Sequence, residues 1–328
     1  MKAQAVVFTD PYKAVYQTIE VPEPGDNDVV VDVEYSWVSI GTESSYFRGE
    51  RIGGETPYRS GDPWPFPIVP GYQKVGIVQA VGRGVSGFEV GDRVFAALGK
   101  VTGMFAAHGG HVSPSVTPAQ HVWKLPANAS PLDYCGTVLA QVGYNCGSRP
   151  AVHAGDKAIV IGDGLVGIWA AQTLAHRGAD VAVLGRHDER LALLPARIRG
   201  VNTRRTELAA LLAELGGVHI VVDSVGDMDT VRAIQPHMKR DSHLVSAGFL
   251  GEKGRVDIQK LRGQEITLHT PSGWTSERIE RTIAAIADGW LTTSPLITHH
   301  YRVEQAAEAW EMIRHAKSGC LGVVFSWV

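Results

Sequence analysis

The stretch Lys157-Ala-Ile-Val-Ile-Gly-Asp-Gly-Leu-Val-Gly167 decides the fold of this chain. Its β-branched apolar run predicts a buried strand, and the glycines that follow are spaced G-x-G-x-x-G before a predicted helix over 168–176. A strand, a tight turn and a helix in this order place the first backbone N–H groups of the helix opposite a bound pyrophosphate. A second predicted strand, 178–185, follows at the distance typical of a βαβ unit. We therefore interpret the stretch as a dinucleotide-binding site; the alternative is a glycine-rich turn in another kind of α/β sheet.

Each glycine of this motif has an expected task. Gly162 forms the turn, Gly164 lets the backbone approach the pyrophosphate, and Gly167 lets the helix pack closely against the strand. Leu165 and Val166 lie between these glycines, and we expect them at the same phosphate-binding turn. The motif thus predicts five neighbouring cofactor-binding residues.

The end of the second predicted strand, Gly185-Arg186-His187, indicates which dinucleotide is bound. An enzyme that uses NAD(H) normally has an Asp or Glu there, which hydrogen bonds to the ribose 2′-hydroxyl. This chain has no acid at that position, and Arg186 can form a forked contact with a 2′-phosphate, with Arg190 one helical turn further on. We therefore expect NADP(H), with Gly185 and His187 beside it. The alternative is that Arg186 is a solvated loop residue and that selectivity is loose.

Composition limits the class of protein. The chain has 328 residues, 44% of them apolar, which is enough for two domains with their own cores. A net charge of −3 and the absence of basic clusters argue against nucleic-acid binding. The sequence contains neither a signal-peptide core nor an apolar run long enough to cross a membrane. Three scattered cysteines do not form a disulfide framework, so we expect a cytoplasmic protein with reduced thiols.

The sequence pattern changes along the chain. Residues 1–127 contain short predicted strands separated by Gly and Pro, which favours a β-rich barrel, whereas 128–271 alternate helices and apolar strands, which is typical of a doubly wound parallel sheet. Residues 272–328 add two amphipathic helices and a closing strand. The predicted fold class is therefore α/β, with a β-barrel domain and a Rossmann domain.

The chain resembles the medium-chain dehydrogenase/reductases, in which a GroES-like barrel precedes and follows a Rossmann domain. Val81-Gly-Arg-Gly-Val-Ser-Gly-Phe-Glu-Val-Gly-Asp-Arg-Val94 is similar to the family's segment leading to its G-D-R-V turn, and Pro295-Leu-Ile-Thr-His299 is similar to its C-terminal return. The resemblance covers essentially the whole chain. It implies that 1–127 is a GroES-like catalytic domain, 128–271 a Rossmann NADP-binding domain, and 272–328 a return to the catalytic domain.

The residues that bind catalytic zinc in many family members are replaced here. In Ser39-Ile-Gly-Thr-Glu43, Ile40 stands where the family has Cys, and in Gly71-Tyr-Gln73, Tyr72 and Gln73 stand where it has His and Glu. Ile cannot ligate, and neutral Tyr and Gln are poor ligands for a tetrahedral zinc; near the third ligand's position only Cys135 could serve. We expect no metal. The pattern is closest to the zinc-lacking branch that includes bacteriochlorophyllide a dehydrogenase.

Catalysis without zinc requires other hydrogen-bond donors, and the resemblance implies where they lie. Tyr72 stands at a lost ligand's position, and its phenol can donate to an alkoxide; the alternative is a tyrosine packed in the cleft. Thr42 stands where the family keeps a hydroxyl that relays the substrate proton, and Ser45 where a further relay residue follows. Glu43 replaces the family's Asp in a structural role, or acts as an acid if its pKa is raised.

Further side chains are candidates for contact with substrate. Gln73 and Gln141 can orient it by hydrogen bonds. His108 and His111 lie on a glycine-rich loop that we expect to be flexible, and they can supply a titrating group. Trp64 could help to wall an apolar pocket, although such an aromatic is more often part of the core or rim.

The predicted fourth and fifth strands of the Rossmann sheet are followed by short loops that border ribose and nicotinamide in such domains. These loops carry Val225 and Gly226 after one strand, and Ala247, Gly248 and Phe249 after the other. We expect these five residues at the cofactor.

These observations predict a zinc-independent NADP(H)-dependent oxidoreductase that interconverts a secondary alcohol and a ketone on a polyol, sugar or cyclitol-like ring. One alternative is an NADPH-dependent enone or quinone reductase, which delivers hydride to a conjugated carbon. Lesser alternatives are a bacteriochlorophyllide-type dehydrogenase and a non-enzymatic NADPH-binding protein. The resemblance also implies a homodimer, paired through the C-terminal part of the sheet around 242–248 and 266–269. The expected partner is a small-molecule substrate, with neither nucleic acid nor membrane.

Overall fold

The computed structural model describes residues 1–50, 66–104, 109–250, 254–315 and 319–328. The chain divides into two compact units. The first contains residues 1–138, 279–288 and 292–328, and the second contains 139–278 and 289–291. The first unit thus combines the N-terminal and C-terminal parts of the chain.

The described strands are named in chain order. They are β1 (Lys2–Asp10), β2 (Lys13–Glu20), β3 (Asp28–Val38), β4 (Gln73–Val81), β5 (Arg93–Ala97), β6 (Val112–Ser113), β7 (Ser115–Pro118), β8 (Val122–Lys124), β9 (Lys157–Ile161), β10 (Asp180–Gly185), β11 (Arg199–Asn202), β12 (Val218–Asp223), β13 (Met238–Ser246), β14 (Thr267–His269), β15 (Ile297–Arg302) and β16 (Gly322–Ser326).

The described α-helices are named in the same way. They are α1 (Ile40–Phe47), α2 (Pro131–Tyr134), α3 (Thr137–Ser148), α4 (Leu165–His176), α5 (Asp188–Leu191), α6 (Leu208–Leu215), α7 (Met228–Ile234), α8 (Ile258–Gly263), α9 (Ser276–Ala287) and α10 (Ala306–His315).

The first unit is built on two mostly antiparallel sheets. One has the order β2-β1-β6, and the other has the order β15-β16-β3-β4-β5-β8, with β7 paired to β3. The C-terminal strand β16 pairs with β3, so the end of the chain completes the sheet that the N-terminal part begins. Phe8, Phe47 and Trp310 pack ring against ring in the core and fix α1 and α10 against β1.

The second unit is a parallel sheet with the order β11-β10-β9-β12-β13-β14. Helices cover both of its faces, because the strands carry apolar side chains on both sides in two separate core clusters. The chain passes outward from β9 in both directions, so the loops after β9 and β12 diverge at a topological switch point, where such sheets bind ligands. The predicted α/β class, with a GroES-like domain and a Rossmann sheet, is confirmed.

Candidate functional site

Three hydroxyl groups meet in the first unit where α1 approaches the start of β4. The Tyr72 hydroxyl donates to Ser39 Oγ at 2.6 Å, and the Thr42 hydroxyl also hydrogen bonds to the phenol. Tyr72 and Ser39 are buried, whereas Thr42 is half-buried. Burial, reinforced by the charge of Glu43, raises the pKa of Tyr72, while the two hydroxyl contacts oppose the rise. The phenol is therefore a neutral hydrogen-bond donor, and Thr42 is the most accessible of the three hydroxyls.

Behind this hydroxyl cluster lies a fully buried pair, Glu43 and His111. Glu43 Oε1 accepts the backbone N–H of Ser39 at 2.6 Å, and Oε2 lies 3.0 Å from His111 Nε2. The other ring nitrogen, Nδ1, lies 2.8 Å from the hydroxyl of Ser36, which accepts the indole N–H of Trp327 at 2.9 Å. A carboxylate only accepts, so Nε2 carries a proton and donates to Glu43. Glu43 thus positions Ser39, whose hydroxyl accepts the hydrogen bond of the Tyr72 phenol.

His111 differs from its expected setting. We predicted a side chain on a flexible loop, but both of its ring nitrogens are engaged and none of its surface is exposed. Gly71 makes room for it, since a Cβ there would come within 2.6 Å of the imidazole, and the backbone of Gly71 has a φ of +81°. Because the imidazole of His111 is buried and bonded to Glu43 and Ser36, it stabilises the residues around the hydroxyl cluster and is not exposed to contact a substrate. His108 and Trp64 lie outside the described residues.

Gln73 and Lys74 continue β4 beyond the tyrosine. Gln73 is buried, and its side-chain amide donates to the carbonyl of Trp37 at 3.4 Å. Lys74 is also fully buried, and its ammonium donates to the carbonyls of Leu98 and Gly109, the latter at 3.2 Å. These carbonyls lie near the two ends of the segment between β5 and His111, so Lys74 ties the ends together. Burial lowers the pKa of Lys74 to about 7.

The side chains at the family's zinc-ligand positions do not form a zinc site. Ile40 has no donor atom, the Tyr72 phenol is neutral, and the buried Cys135 thiol donates to the carbonyl of Leu132 at 3.4 Å. Burial raises the pKa of Cys135, which keeps it protonated, whereas zinc binds the thiolate. Among the residues that the structure describes, no three His, Cys, Asp or Glu side chains gather where they could hold a metal ion. That this protein works without zinc stays a prediction based on this donor chemistry.

Ser45 lies on α1 one turn after Gly41, outside the hydroxyl cluster. Its hydroxyl is 3.5 Å from the Gly41 carbonyl and 3.4 Å from the guanidinium of Arg48. Ser45 therefore has no hydrogen bond to a described residue through which it could take part in a proton relay from Tyr72. Gln141 belongs to the second unit, where its buried amide faces the Gly273 carbonyl and the Val142 N–H.

The predicted dinucleotide turn follows β9 in the second unit. Gly162 has a φ of +117°, and a Cβ there would come within 2.5 Å of Ser224 Oγ, so the turn requires glycine. A Cβ on Gly167 would lie 2.2 Å from the Gly162 carbonyl, which explains the close packing of α4. Gly164 precedes α4 and faces open space. Since it has no side chain to cap the helix, the first N–H groups, from Leu165 onward, are available to a phosphate.

The end of β10 corrects one interpretation of the sequence. We expected no carboxylate there, but Asp163, inside the glycine motif, delivers one from the neighbouring turn. Its Oδ2 accepts the backbone N–H groups of Arg186 at 2.7 Å and His187 at 2.9 Å. A Cβ on Gly185 would lie 2.5 Å from the same oxygen, so the carboxylate fills the space that a side chain at 185 would take.

Two side chains face the Asp163 carboxylate, and two further arginines near it are exposed. The ring Nδ1 of His187 lies 2.9 Å from Asp163 Oδ2, and the guanidinium of Arg190 lies 3.6 Å from Oδ1, so both side chains face the carboxylate. Arg186 is exposed. Burial would raise the pKa of Asp227, the N-cap of α7, but hydrogen bonds from Thr230 lower it, and the charge of Arg186 adds to the lowering. Arg204, which the sequence analysis missed, is exposed on the loop after β11, whose end pairs with the end of β10.

The loops after β12 and β13 pack backbone to backbone at the same edge of the sheet. A Cβ on Gly248 would lie 2.0 Å from the Gly226 nitrogen, so these two glycines permit the contact. Val225 and Phe249 are 51% and 63% exposed, although both are large and apolar. Val225 lies at the dinucleotide turn, because a Cβ on Gly162 would come within 2.5 Å of its side chain. That these residues and Ala247 border a cofactor stays a prediction.

Comparison with known proteins places the chain in a family. The alcohol dehydrogenase GroES-like domain matches residues 25–127, and the zinc-binding dehydrogenase family matches residues 198–319. The chain belongs to the medium-chain dehydrogenase/reductase superfamily. This medium-chain dehydrogenase/reductase is accordingly an oxidoreductase of the alcohol dehydrogenase type.

Two curated relatives illustrate the range of the family. The 2-desacetyl-2-hydroxyethyl bacteriochlorophyllide A dehydrogenase of Cereibacter sphaeroides is 26% identical over 349 aligned positions, covering 100% of this chain and 99% of the relative. The D-xylulose reductase of Morganella morganii is 25% identical over 318 positions, covering 88% of this chain and 90% of the relative.

Two solved structures share the fold along nearly the whole chain. A dehydrogenase of Escherichia coli CFT073 in complex with NADH superposes with a TM-score of 0.85 at 22% identity, covering 99% of each chain. A zinc-binding-type dehydrogenase of Sinorhizobium meliloti bound to NADP superposes with a TM-score of 0.83 at 17% identity and the same coverage. These neighbours bind different nicotinamide dinucleotides.

Within the described parts of the chain, no helix combines the length and the apolar character needed to cross a bilayer.

Proposed function

We propose that this chain is a zinc-independent, NADP(H)-dependent oxidoreductase that interconverts a secondary alcohol and a ketone. The observation that carries the proposal is the cluster of Tyr72, Ser39 and Thr42 hydroxyls in the part of the GroES-like unit where many relatives have zinc ligands. A hydride transfer to a carbonyl requires a donor to the oxygen on which negative charge develops. Here hydroxyl groups supply that donor.

The three hydroxyls have distinct parts in this proposal. Thr42, which is half-buried, donates to the substrate oxygen, and Tyr72 stands behind it as the next proton donor. Since the phenol donates to Ser39 in this structure, a relay toward the substrate requires only that the hydroxyl hydrogens rotate. When Tyr72 gives its proton through Thr42, the phenolate that is left takes a proton back from solvent after the product leaves, and because the pKa of Tyr72 is raised the phenol is neutral in the resting state.

The second unit fits a nicotinamide dinucleotide, which when bound supplies or accepts the hydride. The turn from Gly162 to Gly167 would hold the pyrophosphate, and the exposed Arg186 would contact a 2′-phosphate. Arg204 adds a second exposed cation on the adjacent loop. These cations support NADP(H) as the preferred cofactor.

For the substrate, we propose a polyol, sugar or cyclitol-like ring. A relative named for reduction of D-xylulose supports this class. The amides of Gln73 and Gln141 are buried and face backbone groups, so neither is proposed to contact the substrate.

We further propose that the protein is a homodimer that pairs through the edge strand β14. Light scattering at micromolar concentration tests this, and a monomeric mass would contradict the proposed dimer.

The experiment is a substrate panel with NADPH and NADP⁺, followed at the nicotinamide absorbance, alongside elemental analysis of the purified protein. Turnover of cyclic ketones and of the matching alcohols, without stoichiometric zinc, is expected. Turnover of enones alone would favour the C=C reductase. Tight NADPH binding with no turnover at all would favour a binding protein, and zinc at one equivalent would contradict the proposed chemistry.

A further inference from the structure

We infer that Asp163 limits the preference for a 2′-phosphate and thereby sets the discrimination between NADP(H) and NAD(H). The inference deepens the cofactor part of the proposed function and rests on it. It arises from the unusual route by which a carboxylate reaches the end of β10.

The usual acid of an NAD(H) enzyme lies at the end of the second strand of the Rossmann sheet. Here the strand ends in Gly185, and the carboxylate comes from the middle of the glycine motif instead. Asp163 accepts the N–H groups of Arg186 and His187, so its negative charge lies at the strand end although the sequence there has no acid. Because a Cβ at 185 would lie 2.5 Å from Oδ2, this arrangement also excludes a larger residue at the strand end.

The side chain of Asp163 is 10% exposed, so bulk water screens the charge of its carboxylate poorly. Arg190, 21% exposed, is its nearest guanidinium, and its charge offsets that of Asp163. The exposed guanidiniums of Arg186 and Arg204 then supply the attraction for a 2′-phosphate. The affinity for the 2′-phosphate thus depends on the negative charge of Asp163, which weakens it, and on the positive charges of Arg186, Arg190 and Arg204, which strengthen it.

Asp163→Asn tests this balance, because the amide oxygen can still accept the two backbone N–H groups while the charge is removed. Binding of 2′,5′-ADP and of 5′-AMP is measured by calorimetry, so no catalytic activity is needed. We expect the affinity for 2′,5′-ADP to rise about tenfold relative to that for 5′-AMP, since the charge of Arg190 is no longer offset. The affinity for 5′-AMP should change less than about threefold, which shows that the site remains folded.

Asp188→Asn is the matched control. It removes another acid near the strand end, but Asp188 is 51% exposed and pairs with Arg205 at 2.6 Å. We expect the ratio of the two affinities to change less than about twofold. The double variant D163N/R190Q removes both members of the buried pair and should return the ratio to the wild-type value.

An unchanged ratio in D163N with intact 5′-AMP binding would overturn the inference, and so would an equal shift in D188N. If D163N does not fold, Arg190→Gln tests the same balance. Leaving Asp163 without its guanidinium should lower the affinity for 2′,5′-ADP about tenfold, and an unchanged ratio would overturn the inference. If the wild-type protein binds neither NADPH nor 2′,5′-ADP, the proposed function itself fails, which is a different result.

Discussion

The imidazole Nε2 of His111 lies 3.0 Å from the carboxylate of Glu43, and neither side chain has any exposed surface. The pair links the segment that precedes β6 to α1. Through its second oxygen, Glu43 also accepts the N–H of Ser39, whose hydroxyl receives the phenol of Tyr72. A buried hydrogen-bonded pair therefore lies directly behind the proposed catalytic hydroxyls.

His111→Phe should destabilise the protein strongly. Phe has a similar shape but leaves the buried Glu43 carboxylate without its ring partner, which costs about 3 kcal/mol or more in the free energy of unfolding. Urea denaturation followed by circular dichroism measures the loss. Glu50→Gln is the control, since Glu50 pairs with Arg48 near the surface and its loss should cost less than about 1 kcal/mol. A loss below about 1 kcal/mol for His111→Phe would contradict the assigned partnership.

Tyr72→Phe should lower kcat about a hundredfold or more, because it removes the proton donor behind Thr42. The fold should survive, since only one hydroxyl is lost. Tyr46→Phe, on the same helix as Thr42, is the matched control and should retain kcat within about threefold. Because the pKa of Tyr72 is raised, the wild-type kcat profile should show no ionisation of this phenol up to about pH 10. A Tyr72→Phe variant with wild-type kcat would remove the tyrosine from the mechanism.

Lys74→Met should change how stability depends on pH. Burial lowers the pKa of Lys74 from 10.5 to about 7, so between these values the unfolded chain binds a proton that the native protein does not. The free energy of unfolding of the wild type should therefore rise with pH in this window, relative to that of Lys74→Met, by about 1.4 kcal/mol per pH unit. Lys13→Met is the control, because Lys13 is 63% exposed and lies 3.7 Å from Asp10, which is itself 65% exposed, so its loss should leave the pH dependence of the wild type unchanged. A pH-independent difference between wild type and Lys74→Met would contradict the burial of the ammonium.

Gly164→Ala should separate cofactor binding from stability. No atom lies within 4 Å of the position that the new Cβ takes, so the free energy of unfolding should change by less than about 1 kcal/mol. The same Cβ stands where the pyrophosphate approaches the backbone, so the Kd for NADPH should rise about tenfold or more. Gly263→Ala, in α8, also has open space around its Cβ and should leave the Kd unchanged. Equal NADPH binding in both variants would place the dinucleotide elsewhere.

The dinucleotide turn was predictable because its signal is local. Glycines at 162, 164 and 167 between a strand and a helix define the turn. β9 lies where the sequence predicts a strand, and α4 begins at Leu165, three residues before the predicted start at 168. The carboxylate at the end of β10 could not be found in this way. The sequence rule looks for an Asp or Glu at the strand end, near residue 185, whereas Asp163 lies 22 residues earlier in the chain. The remaining signal was the glycine at 185, which leaves room for another side chain.

The hydroxyl cluster was partly predictable. The resemblance pointed to Tyr72, Thr42 and Glu43, and the structure gathers these three around Ser39, which the sequence did not single out. His111 was assigned to a loop because glycines surround it, and local composition contains no information about a partner 68 residues away. Buried polar contacts between distant segments are the part of a site that periodicity and spacing do not encode.

Isotope transfer tests the central claim most directly. Protein treated with a chelator and shown to be free of zinc is given NADPH that carries deuterium at the transferable C4 position, together with a cyclic ketone in one reaction and a cyclic enone in another. The account predicts turnover, with deuterium on the carbinol carbon of the product alcohol. Activity that returns only after zinc is added, or deuterium found only on the carbon β to the carbonyl of an enone, would contradict it.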